Sequence, residues 1–112
     1  MKGSDPQPRI LIVDDHPAIR TGIARAIEKA GMNCCAMAAS KSEAMAQLAH
    51  TNPDAIVVDL HLPDGSGLEL IRWVRKNSSE IAIVMLTMSD SDSDLIAAMN
   101  AGASGYVKKS AP

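Results

Sequence analysis

The chain has 112 residues, 46% of them hydrophobic, and its 11 Lys and Arg against 13 Asp and Glu give a formal net charge of −2. That is the length of one domain, with enough apolar residues for one packed core. A domain so near neutral is not built to hold a nucleic-acid backbone by itself, and one Trp, one Tyr and no Phe supply no platform for stacking bases.

No apolar run approaches the roughly 18 residues of a membrane span, and no signal peptide opens the chain. Both point to a soluble, cytoplasmic domain that does not engage a membrane, with residues 1–8 as a flexible arm. Cys34 and Cys35 are adjacent, a link too short for good disulfide geometry, and no Cys/His spacing suits zinc. Both are expected to be reduced, in a core strand.

Strand and helix signals then alternate. Arg9 to Val13 is a short apolar run suited to a strand buried on both faces. Asp14, Asp15, His16 and Pro17 follow, and Pro17 suits a first helical turn. Ile19, Ile23, Ala26, Ile27 and Ala30 recur at helical spacing up to Gly31. A weaker strand covers Asn33 to Met37. Ser40 and Glu43 form a capping box for a helix to His50, with Ala44, Met45 and Leu48 inward. After the turn Asn52-Pro53-Asp54, Ala55 to Val58 is a strand closed by Asp59. Leu60 to Gly67 carries Pro63, Gly65 and Gly67 and reads as a loop, with Asp64 as a turn residue. Leu68, Ile71 and Val74 mark a third helix ending near Asn77. Ile81 to Leu86 is a fourth strand with Thr87 at its tip. Ser89 to Ser93 can cap a helix to Ala101, with Leu95, Ile96 and Met99 as its buried side and Met85 and Met99 as core filler. Gly102 ends it, and Gly105 to Lys109 is a fifth strand. This (βα)₄β alternation predicts an α/β fold, a parallel sheet with helices on both faces.

In such sheets ligands bind outside the carboxyl ends of the strands. The residues at those ends are Asp14 and Asp15, Asp59, Thr87, and Lys108 and Lys109. Two unit charges about 4 Å apart repel by roughly 4 kcal/mol at an effective dielectric near 20. A hard divalent cation would offset the crowding, and Mg²⁺ suits a few carboxylates plus water. Asp59 could then attack phosphorus, with Mg²⁺, a lysine and a hydroxyl meeting the developing charge. His16 and His61 beside the cluster would suit a transition metal, but the oxygen ligands outweigh them.

The stretches I-L-I-V-D-D-H-P (10–17), I-V-V-D-L-H-L-P-D-G-S-G (56–67), V-M-L-T (84–87) and A-G-A-S-G-Y-V-K-K (101–109) together resemble the receiver domain of two-component response regulators. The first and second are most similar to the LuxR-type DNA-binding subfamily. The resemblance covers about residues 9–110. It implies a flavodoxin-like, doubly wound five-stranded sheet of order 2-1-3-4-5. It implies that Asp59 accepts phosphate from a sensor histidine kinase or phosphotransfer protein, at a Mg²⁺ ion held by Asp59, by Asp15 directly, by Asp14 mostly through water and by the His61 backbone carbonyl. Thr87 and Tyr106 would be the switch pair and Lys109 the phosphate's partner. Alternation along a strand lets only one of Lys108 and Lys109 face the site, and the G-Y-x-x-K spacing selects Lys109.

Beyond its own phosphorylation and dephosphorylation the chain is expected to catalyse nothing. Regulation of transcription would run through a DNA-binding output domain outside these residues. The expected layout is a receiver over 9–112 that stops before a fifth helix. That leaves one sheet face half covered and open to homodimer formation. Ser110 replaces the proline common after the lysine, which puts a cis bond there in question. Met88 is larger than the residue usual after the threonine and would shield the phosphate from water. An aspartate-based phosphatase would need a second carboxylate where His61 stands. A flavin carrier would need a phosphate loop where Asp14 and Asp15 stand. The remaining alternative is a degenerate receiver that serves only protein contacts.

Overall fold

The computed structural model describes residues 7–88 and 91–108. Five strands, β1 (Arg9–Val13), β2 (Asn33–Ala38), β3 (Ala55–Asp59), β6 (Ala82–Thr87) and β7 (Gly105–Lys108), form one parallel sheet. Its order is β2-β1-β3-β6-β7, the expected 2-1-3-4-5. The two extra numbers belong to a short antiparallel ribbon, β4 (His61–Leu62) and β5 (Gly65–Ser66). This corrects the reading of Leu60 to Gly67 as plain loop. Gly65, at φ 152°, turns the chain back so that His61 pairs with Ser66.

Among the described residues four helices complete the alternation: α1 (Pro17–Lys29), α2 (Lys41–Thr51), α3 (Gly67–Asn77) and α4 (Asp92–Ala101). Alternation along the central strands splits the core in two. Leu11, Val13, Ile56, Val58, Ile83 and Met85 face α2, α3 and α4, where Leu70, Ile71 and Val74 of α3 are fully or almost fully buried. Ile10 and Ile12 face α1, meeting Ala24 and Ile27. Each large aliphatic side chain so buried is worth roughly 1.5–3 kcal/mol.

Several local expectations shift. The fourth strand begins at Ala82 rather than Ile81 and includes Thr87. Ser40 Oγ accepts from Glu43 N, but Glu43 Oε1 accepts from Ala39 N, one residue outside the expected box. The full capping box is at α3, where Ser66 and Glu69 close on each other. In α1, Ala24 is buried while Ile19 stays 36% exposed. The largest correction is α4: Leu95, Ile96 and Met99 point outward, and Ala98 and Ala101 are buried instead. A face of alanines lets the helix sit low on the sheet, which the bulky residues would prevent. Met85, by contrast, is core.

Cys34 and Cys35 are free thiols, half-buried on the edge strand β2 rather than in the core. Burial, and then the neighbouring Cys35, push the Cys34 thiol above its usual range. Pro8 already belongs to the fold, its carbonyl accepting from Asn33 N at 2.8 Å. A mostly apolar groove runs between α1 and the ends of β6 and β7, lined by Ala18, Ile19, Gly22, Ile23, Leu86 and Val107 with Lys108 at its charged end.

One buttress had no clear sequence signal. The Arg75 guanidinium donates from Nε and Nη2 to the Gly102 carbonyl (3.0 and 2.8 Å) and from Nη1 to those of Ile81 (2.8 Å) and Ser78 (3.3 Å). It thereby joins the end of α4 to the entry of β6. Lysine cannot reproduce that planar fork. Arg75→Lys should lower the unfolding free energy by about 1–3 kcal/mol, measured by urea denaturation.

Candidate functional site at the carboxyl edge of the sheet

Strand β1 ends at Val13, and Asp14 follows with its backbone N–H on the Ala38 carbonyl (3.0 Å). Its side chain is fully buried. Arg20, one turn into α1, donates Nη1 to the Asp14 carbonyl at 2.7 Å, so α1 fixes the backbone at this bend. Asp59 ends β3 next door and is 5% exposed. Asp15 lies on the open side. Thr87, the last residue of β6, is 1% exposed and pairs in register with Lys108. Tyr106 is half-buried against the larger core.

Among the described residues, the carboxylates of Asp14, Asp15 and Asp59 and the imidazole of His16 present donor atoms within 4.8 Å of one another. His16 Nδ1 lies 2.8 Å from Asp14 Oδ1 and 3.1 Å from Asp15 Oδ1. The His16 backbone N–H donates to the same Asp14 oxygen at 2.9 Å. Two carboxylates withdrawn from water, with a third beside them, make a donor set of hard oxygens that fits a divalent cation. His61 is exposed on β4, and its N–H lies 3.4 Å from Asp59 Oδ1. Lys109, Ser110 and the bond between them lie outside the described residues.

The ribbon after Asp59 is held by contacts that the turn reading of Asp64 missed. The Asp64 carboxylate accepts from Lys41 N (2.7 Å) and Ser42 N (2.9 Å), and so caps α2 from a distant loop. Lys41 Nζ reaches Glu69 Oε1 at 3.1 Å, and that oxygen also accepts from Ser66 N at 3.2 Å. Only the sequence distance hid this cap: 23 residues separate Asp64 from Lys41. Gly67 N donates to the Leu60 carbonyl at 2.7 Å. A Cβ on Gly67 would overlap the Asp59 carbonyl oxygen and approach Val58 Cγ1 to 3.1 Å.

Comparison with known proteins assigns the chain to a family. Residues 10–112 match the family described as the response regulator receiver domain, and the chain belongs to that family. Receivers of this kind are the phosphorylation-dependent switches of response regulators. The chain is 36% identical over 102 residues to the DNA-binding transcriptional activator DevR/DosR of Mycobacterium tuberculosis, covering 90% of this chain and 47% of that one. It is 40% identical to a two-component response regulator of the LuxR family from Aurantimonas sp. SI85-9A1, with a TM-score of 0.88, covering 94% of this chain and 76% of that chain. A Burkholderia pseudomallei response regulator, solved with a phosphorylated aspartic acid, a calcium ion and citrate, is 30% identical with a TM-score of 0.84. That match covers 95% of this chain and 62% of the other. The chain spans about half the length of the curated relatives it matches.

Gly67→Ala should cost about 2 kcal/mol or more through the overlap with Asp59. Gly22→Ala, in open space within α1, should gain about 0.5–1 kcal/mol. Thermal unfolding of the two variants gives the comparison. The backbone N–H groups of Ser42 and Lys41 hold the Asp64 carboxyl below its ordinary 3.8. A lowered folded-state value contributes stability above the unfolded value and loses it as pH falls through the folded one. The stability gap between the parent and Asp64→Asn should therefore be full at neutral pH and close as pH falls below about 4, followed by urea titrations across that range.

Proposed function

We propose that Asp59 accepts a phosphoryl group from the phosphohistidine of a sensor histidine kinase or a phosphotransfer protein. The observation that supports this reading best is the convergence of the Asp14, Asp15 and Asp59 donor atoms within 4.8 Å at the carboxyl edge of the sheet. Asp14, Asp15, Asp59 and the His61 backbone carbonyl would hold Mg²⁺. The bound ion would screen the carboxylates and the charge on the transferred oxygens.

An Asp59 carboxylate oxygen attacks phosphorus, the acyl–O–P bond forms, and the P–N bond to the donor imidazole breaks. Thr87 then donates its hydroxyl to the phosphoryl group, Tyr106 follows it inward, and the Lys109 ammonium pairs with the phosphate. The only chemistry in this reading is self-phosphorylation and hydrolysis of the resulting acyl phosphate. Met88, 63% exposed beside Thr87, slows that hydrolysis by screening water.

The receiver occupies residues 9–112 of a cytoplasmic regulator and controls a DNA-binding output domain. The mostly apolar groove between α1 and β7 favours a homodimer. Incubating the chain with acetyl phosphate and Mg²⁺ should add one phosphoryl group by intact mass, and Asp59→Asn should add none. No gain in either protein would favour a degenerate receiver that works by contact alone.

A further inference from the structure

We propose that His16 is a nitrogen ligand at the cation position formed by Asp14, Asp15 and Asp59, and that it shifts this site's preference toward first-row transition ions over Mg²⁺. The inference rests on the reading of the acidic cluster as a cation site and adds a residue and a metal class to it.

The backbone sets the imidazole in place. His16 is the N-cap of α1, with extended dihedrals (φ −99°, ψ 112°), and makes no side-chain cap hydrogen bond. Its ring turns back toward the sheet edge instead of toward the helix amides. Pro17 fixes the next φ, and the bond from His16 N to Asp14 Oδ1 fixes the preceding turn. The ring is 62% exposed, so it is not a histidine packed into the core.

The spacings suit a shared ion. Two donors bound at about 2.1 Å and at right angles lie about 3.0 Å apart. His16 Nδ1 stands 2.8 and 3.1 Å from one oxygen each of Asp14 and Asp15. Nδ1 and Asp14 Oδ1 form a hydrogen bond in this structure; a cation binding there would displace that proton, and the neutral ring, protonated on Nε2, would then offer the Nδ1 lone pair to the space that the carboxylates surround. Imidazole strengthens binding of Ni²⁺, Co²⁺ and Zn²⁺ far more than that of Mg²⁺, which favours oxygen. His61, exposed on β4, is not among the residues whose donor atoms converge.

A hydrogen-bonding role for His16 without coordination would leave metal preference unchanged, so preference is the quantity to measure. Calorimetric titration of the intact chain with Mg²⁺ and with Ni²⁺ at fixed neutral pH gives the ratio of affinities for the parent, His16→Ala, His61→Ala and Asp14→Asn. We expect His16→Ala to weaken Ni²⁺ by at least about tenfold and Mg²⁺ by less than about threefold, where tenfold is 1.4 kcal/mol. His61→Ala should leave the ratio near that of the parent. Electron spin-echo modulation of bound Mn²⁺ should show nitrogen coupling that His16→Ala removes. An unchanged ratio, or nitrogen coupling that survives His16→Ala, would overturn the role of His16 and leave the oxygen site standing. Absence of saturable Mg²⁺ binding in the parent, or binding indifferent to Asp14→Asn, would overturn the cation site and this proposal with it.

Discussion

Burying like charges together is the constraint around which this molecule is arranged. Asp14 has no solvent exposure and Asp59 very little, although both are carboxylates at the edge of an aliphatic sheet. Groups of that kind are held only where their surroundings supply compensating partners. The fold brings such partners to the same edge, the imidazole and amide of His16 both meeting Asp14. The aliphatic runs of β1, β3 and β6 keep the strands central, and their common ending brings the polar groups together. Packing and chemistry are therefore specified by the same five or six residues of each strand.

The supports around Asp59 show how closely the backbone follows. The chain leaves β3, makes the β4–β5 ribbon and enters α3 at Gly67, where no side chain would fit against the Asp59 carbonyl. The ribbon is tied outward through Asp64 to the amides that open α2, and through Glu69 to Lys41. The first of these uses backbone donors that a helix start must satisfy in some way. Here a residue from another loop does so, and the position of α2 becomes linked to the segment that follows Asp59.

Much of this was legible in the sequence, for identifiable reasons. Buried parallel strands are continuous apolar runs, so β1, β3 and β6 announced themselves, and the acidic and hydroxyl residues at their ends marked the site. Local periodicity failed where the deciding partner was distant. In α4 the bulky residues formed the stronger pattern, yet the sheet selected the alanines, because closeness of approach outweighed the area that each side chain could bury. Asp64 does lie in the turn of the ribbon, and only its second task, capping α2, was hidden because the amides it meets are distant in sequence. Arg75 gave no signal, since its acceptors are carbonyls, which no side-chain pattern reveals. His16 was visible beside the aspartates, but its closeness to both Asp14 and Asp15 depended on the bend at the helix start.

Arg75 also has a mechanical meaning. By gripping the Gly102 carbonyl it fastens α4 at the end remote from Thr87. A ten-residue helix is about 15 Å long, so a tilt of about 10° around that anchor carries its start by about 2.5 Å while its end stays still. The outward-facing Leu95, Ile96 and Met99 ride on that lever, and those nearest Ser91 sweep the widest arc. A guanidinium far from the carboxylates thus fixes one end of the helix that carries an exposed apolar surface.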